Sequence, residues 1–303
     1  MKRPLLSLLS LLSVFLPAAA ADIPLWPEGV PGARNIGAEV RNNGYVSNVS
    51  EPSLTVVPAA VDRPNGTAVI IAPGGGYVRM ANTREGEQYA NWLSTLGVTS
   101  FILHYRAQEF GHPAPLQDVL RAVRLVRSRA AEFHIDPARI GVMGSSAGGH
   151  LAASAGTLFG HPSGRTGAAL DAISARPDFL MLMYPVITLD GPSAHMGSRK
   201  ALLGASPSPE LVQLMSVEKQ VTPQTPPTLL IHTQADQAVP VENSILFYQA
   251  LTRNKVPAEM YLFEQGSHGM GMRDNLGTAS SWPKRAEEWL RARNLLVTPV
   301  QAK

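Results

Sequence analysis

Short apolar runs alternate with amphipathic stretches along most of the chain, a pattern typical of alternating strands and helices. Apolar, partly β-branched runs predict strands at 53–57, 67–72, 98–104, 139–143, 179–184, 227–232 and 259–263. Helical periodicity predicts helices at 85–96, 115–133, 209–214, 241–253 and 280–295. Strands that alternate with helices in this way favour right-handed crossovers and a mostly parallel central sheet flanked by helices.

The segment 115–133 has the clearest helical pattern. One face carries the apolar stripe of Leu116, Val119, Leu120, Val123 and Val126, with Arg121, Arg124 and Arg127 mainly beside it.

Two other segments break the alternation of strands and helices. Residues 22–50 are rich in Gly, Pro and Asn and predict an irregular arm. Residues 188–227 are dotted with Pro and Ser and predict a short cap that roofs part of a pocket.

The first 21 residues have the pattern of an export signal. Lys2 and Arg3 precede an apolar stretch at 5–16, and small residues follow at 17–21. We expect residues 1–21 to be a signal peptide, cleaved after Ala20 or Ala21, and residues 22–303 to be one catalytic domain. A buried first helix is the alternative. Export predicts a periplasmic or secreted protein.

Charge and cysteine content exclude several classes of function. The sequence has 26 basic and 23 acidic residues, and without Lys2 and Arg3 the balance is 24 against 23. No basic stripe remains that would indicate binding to nucleic acid or to an anionic membrane. The sequence contains no cysteine, which excludes disulfides and a thiolate nucleophile.

The sequence from Gly144 to Gly148, Gly-Ser-Ser-Ala-Gly, has the Gly-x-Ser-x-Gly pattern of a nucleophile elbow. A predicted strand precedes it and a helix-forming run follows, which is the order that this motif requires. The sharp turn would hold Ser146 in a strained conformation with its hydroxyl above the sheet. A glycine-rich turn with a solvated serine is the alternative interpretation. We predict Ser146 to be a catalytic nucleophile.

Three glycines follow the strand predicted at 67–72, in the sequence Pro73-Gly74-Gly75-Gly76-Tyr77. Their N–H groups are unshielded and can converge on one point, as the oxyanion of an acyl-transfer reaction requires. We expect an oxyanion hole made by Ala147, directly after the serine, and by Gly75 or Gly76. A plain tight turn or a phosphate loop is the alternative, although no Gly-Lys-Ser/Thr follows.

A serine nucleophile also needs a base and an orienting carboxylate. His268 lies on a glycine-flanked loop past the last predicted strand, and Asp236 follows the strand at 227–232. These positions place the residues in the order Ser, Asp, His. The alternative carboxylates are Asp190 and Glu264. Four other features are interpreted structurally: His150 as a packing or hydrogen-bonding histidine, His104 and His232 as core or supporting residues, and Trp282 as core.

Taken together, these motifs resemble the α/β-hydrolase superfamily, and more narrowly its exported acetyl xylan esterase and feruloyl-esterase-like branch. The resemblance rests on Leu-Trp-Pro-x-Gly at 25–29, Pro-Gly-Gly-Gly-Tyr at 73–77, the elbow with the following Gly149-His150, and Asp-x-x-Val-Pro at 236–240. It covers nearly the whole chain after residue 22. Pro73 replaces the histidine of the His-Gly-Gly-Gly loop in lipase-like relatives, which favours the sugar-esterase branch.

The resemblance implies an α/β-hydrolase fold and a serine esterase that deacetylates xylan-derived oligosaccharides or other small acetyl esters, with no metal or other cofactor. Its expected partner is therefore a small-molecule or oligosaccharide ester, with no nucleic acid and no membrane after signal cleavage. Tyr77 could floor the acyl pocket or simply pack, and Arg106 could contact a sugar or hold a loop. The alternative functions are a prolyl-oligopeptidase-type exopeptidase and a noncatalytic binding protein with the same fold.

Overall fold

The computed structural model describes residues 22–60 and 64–296, and the predicted signal peptide lies outside these residues. Ten strands occur in this part of the chain: β1 (Asp22–Pro24), β2 (Val40–Asn42), β3 (Tyr45–Ser47), β4 (Ser53–Val57), β5 (Ala68–Ala72), β6 (Thr99–His104), β7 (Ile140–Ser145), β8 (Phe179–Met183), β9 (Thr228–Thr233) and β10 (Ala258–Phe263). Seven α-helices accompany them: α1 (Gln88–Thr95), α2 (Ala114–Ser128), α3 (Ser146–Thr157), α4 (Met196–Leu203), α5 (Pro209–Met215), α6 (Glu242–Arg253) and α7 (Trp282–Ala292).

Eight strands form one sheet in the order β1-β4-β6-β5-β7-β8-β9-β10. The six strands from β6 to β10 in this order are parallel, and β4 and β1 continue the sheet in antiparallel pairing at one edge. This arrangement confirms the predicted mostly parallel sheet flanked by helices. Because parallel strands end at the same edge, the loops after β5, β7, β9 and β10 meet there.

Helices cover both faces of the sheet. Alternate residues of β5 point to opposite sides, so Ile70 packs in a core with α2, α3 and α6, while Val69 and Ile71 pack in a second core with α1 and α7. This three-layer arrangement fixes the strand ends. No helix within residues 22–60 and 64–296 combines the length and the apolar character needed to cross a membrane.

The structure corrects three expectations about elements. The arm at 22–50 is not wholly irregular, because β1 pairs with β4 and β2 pairs with β3 in a separate hairpin. The helix predicted to reach residue 133 ends at Ser128 and is followed by turns. The segment 188–227 contains α4 in addition to the short helix that periodicity predicts. The strands of the arm are only three residues long, and the sequence of α4 mixes apolar and polar residues, so neither has a clear hydrophobic period.

Candidate active site

Ser146 lies at the junction between β7 and α3, as the Gly-x-Ser-x-Gly pattern predicts. β7 ends at Ser145, α3 begins at Ser146, and Ser146 has a φ of 54°, in the left-handed region that non-glycine residues rarely adopt. A Cβ on Gly144 would lie 2.1 Å from the carbonyl oxygen of Gly148, and one on Gly148 would lie 2.1 Å from that of Ala72. Glycine is therefore required at both flanking positions, because the strand, turn and helix approach too closely for any side chain.

The structure brings the three predicted residues into one hydrogen-bonded series. Nε2 of His268 lies 2.9 Å from Oγ of Ser146, and Nδ1 of the same ring lies 2.7 Å from Oδ2 of Asp236. A carboxylate can only accept, so Nδ1 carries a proton and donates to Asp236. This tautomer leaves the lone pair of Nε2 free to accept the proton of the serine hydroxyl.

Asp236 is buried and held in place from two sides. Its Oδ1 accepts from the N–H groups of Ala238 and Val239, each at 2.9 Å. Burial alone would raise the pKa of this carboxyl, but hydrogen bonds from His232 and His268 outweigh it and hold the pKa well below its usual value. Asp236 is therefore ionised at neutral pH. The other candidate carboxylate at a strand end, Asp190, instead pairs with Lys219.

His232 supports this carboxylate from the core. The ring is fully buried, with Nε2 at 3.1 Å from the carbonyl oxygen of Val239 and 3.4 Å from Oδ2 of Asp236. Because both neighbours of Nε2 are acceptors, Nε2 holds the proton and Nδ1 accepts from the hydroxyl of Ser244 at 2.7 Å. This supporting role is one of the two that the sequence indicates for His232.

The glycine loop lies directly above Ser146. A Cβ on Gly74 would lie 2.9 Å from Cβ of Ser146, so the loop passes over the serine as closely as a backbone can. Gly75 and Gly76 have φ values of 140° and 69°. Within the described residues, the N–H groups of Gly75 and Gly76 have no protein acceptor, and Ala147 lies in the first turn of α3, where N–H groups lack an intrahelical acceptor.

The glycine loop is tied to a buried acid that the sequence analysis did not single out. Oε2 of Glu85 accepts the N–H of Gly74 at 2.7 Å, and Oε1 accepts the hydroxyl of Tyr184 at 2.9 Å. Burial raises the pKa of Glu85, although these hydrogen bonds oppose the rise. Tyr184 also packs edge-on against the ring of His268, with ring centroids 5.0 Å apart. An acid at the start of a predicted helix is so common that its position carried no signal.

Tyr77 and Arg106 do not lie in the pocket, which corrects the prediction that they contact the substrate. Tyr77 is fully buried, and its hydroxyl meets Nδ1 of His150 at 2.8 Å. Arg106 is 1% exposed and forms a buried ion pair with Asp118 at 2.8 Å. Its guanidinium also donates to the carbonyl oxygens of Pro31 and Ala114, which matches the alternative role of holding a loop. Neither side chain can reach a ligand from these positions.

His150 and Trp282 have the structural roles that the sequence indicates. Nε2 of His150 lies 2.7 Å from the carbonyl oxygen of Met215, and burial lowers the pKa of this ring to about 4. The ring is therefore neutral and donates from Nε2 to Met215. Trp282 is fully buried, and its indole N–H donates to Gly271.

A pocket of about 290 Å³ opens above Ser146. Its walls come from the glycine loop, the His268 loop, the β2–β3 hairpin and the predicted cap, namely Tyr45, Gly74, Gly75, Gly76, Arg79, Ala81, Arg84, Glu85, Ser146, His195, Ala238, His268 and Gly269. His195 therefore supports the expectation that residues 188–227 roof part of the pocket. Among the described residues, no group of three His, Asp or Glu side chains is arranged to hold a metal ion.

Comparison with known proteins agrees with this fold. The profile of the BD-FAE family matches residues 56–251. The chain is 40% identical over 206 residues to endo-1,4-beta-xylanase B of Butyrivibrio fibrisolvens, covering 67% of this chain and 32% of that protein. It is 33% identical over 214 residues to an acetylxylan esterase of Xylanibacter ruminicola, covering 69% of this chain and 42% of that protein. The chain thus spans less than half the length of these curated relatives.

A solved structure matches over a larger share of the chain. The acetyl ester-xyloside bifunctional hydrolase of Caldicellulosiruptor lactoaceticus superimposes with a TM-score of 0.82 at 40% identity, covering 91% of this chain and 97% of that one. This match extends over nearly the whole described fold. The chain belongs to the BD-FAE family and is an α/β-hydrolase of the acetyl xylan esterase branch.

Proposed function

We propose that the protein is a serine carboxylic ester hydrolase that removes acetyl groups from xylan-derived oligosaccharides or other small acetyl esters. The observation that carries this proposal is the series Ser146–His268–Asp236 at the base of a small pocket, with hydrogen-bond distances of 2.9 and 2.7 Å. Similarity to an acetylxylan esterase and to an acetyl ester-xyloside hydrolase supports the substrate class. A pocket of about 290 Å³ suits a short acyl group.

In the first half of the proposed reaction, Oγ of Ser146 attacks the ester carbonyl carbon while Nε2 of His268 takes the hydroxyl proton. Asp236 keeps the ring in the required tautomer and stabilises the imidazolium that forms. The tetrahedral intermediate then collapses, and Nε2–H of His268 gives its proton to the departing alcohol oxygen. The acetyl group remains on Ser146 as an ester.

In the second half, a water molecule takes the place of the alcohol. Nε2 of His268 removes its proton as its oxygen attacks the acetyl carbonyl, and the same proton returns to Oγ of Ser146 when acetate leaves. The negative charge on the carbonyl oxygen in both halves would be met by the N–H groups of Ala147 and of Gly75 or Gly76. The N–H of Gly74 is committed to Glu85 and is not available for this role. These steps use only groups of the chain and water.

We also propose that the protein is exported, on the basis of the signal pattern at residues 1–21. Sequencing of the mature N-terminus after expression in a bacterial host tests this. The expected mature protein begins at Ala21 or Asp22 and lies in the periplasm or the medium. A chain that stays in the cytoplasm with Lys2 and Arg3 intact contradicts export.

Acetate release from acetylated xylo-oligosaccharides, compared with feruloyl esters, longer-chain esters and aminoacyl nitroanilides, tests the activity. We expect acetyl esters to be hydrolysed and Ser146→Ala to abolish turnover while folding survives. Ser206→Ala, an exposed serine outside the pocket, is the matched control and should keep full activity. Preferential nitroanilide cleavage would favour the exopeptidase alternative, and no turnover of any ester would favour the noncatalytic one.

A further inference from the structure

The pocket above Ser146 is lined by two cationic side chains. Arg79 and Arg84 both line it and are exposed. Within residues 22–60 and 64–296, neither guanidinium forms a direct ion pair or a hydrogen bond with another side chain, although the charge of Arg84 interacts with the buried Glu85. All three arginines of the long helix α2, by contrast, donate hydrogen bonds to carboxylates or carbonyl oxygens. Two exposed cations against the one buried acid Glu85 leave a positive local field beside the nucleophile, which favours an anionic ligand.

Arg79 is held in a defined position at the mouth of the pocket. Its guanidinium carbon lies 4.0 Å from the ring centroid of Tyr45, which stacks the two side chains together. Tyr45 is itself fixed in the β2–β3 hairpin. This stacking leaves the edge of the guanidinium free, and its N–H donors can still bind a carboxylate.

Arg84 lies beside the loop that carries His268. A Cβ on Gly269 would be 3.7 Å from Nη1 of Arg84, and Gly269 directly follows His268. In the proposed reaction His268 gives its proton to the departing alcohol, so the alcohol must lie beside this loop. Arg84 is therefore close to the region that the alcohol part of the ester would occupy in the proposed reaction.

The other polar groups of the pocket also favour an acceptor-rich ligand. Nδ1 of His195 accepts the N–H of Ser198 at 3.1 Å, which leaves the proton on Nε2, and burial lowers the pKa of this ring. His195 is thus a neutral donor. The single acid of the pocket, Glu85, already accepts from Gly74 and Tyr184 with its two oxygens. A carboxylate supplies acceptors in the planar geometry that guanidinium groups bind best.

We propose that the preferred substrates carry a carboxylate on their alcohol part, and that this carboxylate binds to Arg79 and Arg84. For saccharide esters, the preferred class is an acidic saccharide that bears a uronate group. A second hollow of about 250 Å³, lined by Asn42 and Asn43 of the hairpin, shares Tyr45 and Arg79 with the catalytic pocket and leaves room for a neighbouring sugar. This inference rests on the proposed ester hydrolysis and defines its substrate class.

A matched pair of synthetic esters tests the charge preference. 4-Carboxyphenyl acetate carries the anion on its alcohol part, and 4-carbamoylphenyl acetate is its neutral counterpart. The ratio of their kcat/KM values is measured in the wild type and in variants, so that differences in intrinsic reactivity cancel. We expect Arg84→Gln and Arg79→Gln each to lower the anionic-to-neutral ratio by about fivefold, with little change for the neutral ester. Arg84→Lys, which keeps the charge, should retain most of the preference.

Arg253→Gln is the matched control, because it removes the same charge from the end of α6, at the edge of the sheet opposite the pocket. Added salt should reduce the wild-type ratio and leave that of the double variant Arg79→Gln with Arg84→Gln nearly unchanged. A ratio that neither arginine substitution alters, or that Arg253→Gln alters equally, would overturn the proposal.

Binding without turnover separates this inference from the proposed reaction. Calorimetric titration of Ser146→Ala with 4-carboxyphenyl acetate should give saturable binding that is weaker by about fivefold when Arg84→Gln is added. If the wild type hydrolyses neither ester but this binding difference persists, the reaction is wrong and the anion site stands. If neutral esters turn over and the carboxylate binds no better than the carboxamide, the anion site is wrong and the reaction stands.

Discussion

Oε2 of the buried Glu85 lies 2.7 Å from the amide nitrogen of Gly74 and thereby joins the glycine loop to the short helical turn before α1. The same carboxyl accepts the hydroxyl of Tyr184, whose ring packs against His268. One buried acid thus fixes both the loop expected to bind the oxyanion and the ring beside the expected base. Removal of this carboxyl is costly, because the N–H of Gly74 and the hydroxyl of Tyr184 would each be left buried without this acceptor.

Glu85→Ala should lower both stability and activity. We expect a loss of about 2–4 kcal/mol in the free energy of unfolding, from the cavity and the unsatisfied donors, and a fall of at least about tenfold in kcat/KM as the loop shifts. Glu85→Gln keeps an acceptor for Gly74 and should lose less of each. Urea denaturation and steady-state kinetics check this, and equal values for the two variants would argue against a role of the hydrogen bond.

Asp236→Asn should lower kcat/KM by about 10⁴-fold, because an amide cannot hold His268 in the required tautomer. The pKa of Asp236 in the folded protein lies below its ordinary value of 3.8, so the ionised carboxylate stabilises the fold above that pH. This contribution is lost as the pH falls below about 3.8 towards the folded value. The stability advantage of the wild type over Asp236→Asn should therefore shrink on acidification, and an advantage that grew would contradict the assignment.

Gly74→Ala and Gly76→Ala should differ sharply in activity. A Cβ at Gly74 would lie 2.5 Å from the carbonyl oxygen of Ser145, so the loop must move off the serine, and we expect a loss of about 100-fold in kcat/KM. A Cβ at Gly76 meets no atom within 4 Å, and the cost there is the strain of φ at 69°, about 1 kcal/mol. Kinetics of the two folded variants test this, and equal losses would mean that loop position is not critical.

Arg106→Ala should destabilise the protein by about 3–5 kcal/mol, since Asp118 would remain buried without its cation. KM for small acetyl esters should stay unchanged, because the side chain is too deeply buried to touch a ligand. Thermal unfolding and kinetics well below the midpoint separate the two effects. The double variant Arg106→Ala with Asp118→Ala should lose less stability than the two single losses combined. A raised KM in Arg106→Ala would contradict this assignment and indicate that Arg106 contacts the substrate.

Local pattern was enough to predict most of the fold. Strands such as β5 and β7 are fully buried and therefore read as continuous apolar runs, and the residues at their ends share one edge of the sheet. That rule, together with the Gly-x-Ser-x-Gly motif and the order Ser, Asp, His, led to Ser146, Asp236 and His268, which the structure brings together. The hairpin of β2 and β3 escaped prediction because three-residue strands carry little periodicity.

Residues whose position depends on distant partners were harder to predict. Arg106 follows a strand end, where a pocket residue is expected, but the acid Asp118 on α2 draws it into the core. Tyr77 likewise lies in the core, where its hydroxyl is hydrogen-bonded to Nδ1 of His150. His195 directly precedes α4 and lines the pocket, but it lies in a segment whose sequence has no clear period. Such contacts are set by tertiary packing and leave no local signal.

Labelling with a fluorophosphonate probe, followed by mass spectrometry of the digested protein, tests the central claim most directly. The probe reacts with a serine only when a base and an oxyanion site activate it. The account predicts one label, on Ser146, with parallel loss of acetyl esterase activity and no labelling of Ser146→Ala or His268→Ala. A label on another residue, or esterase activity that persists after Ser146 is fully modified, would contradict it.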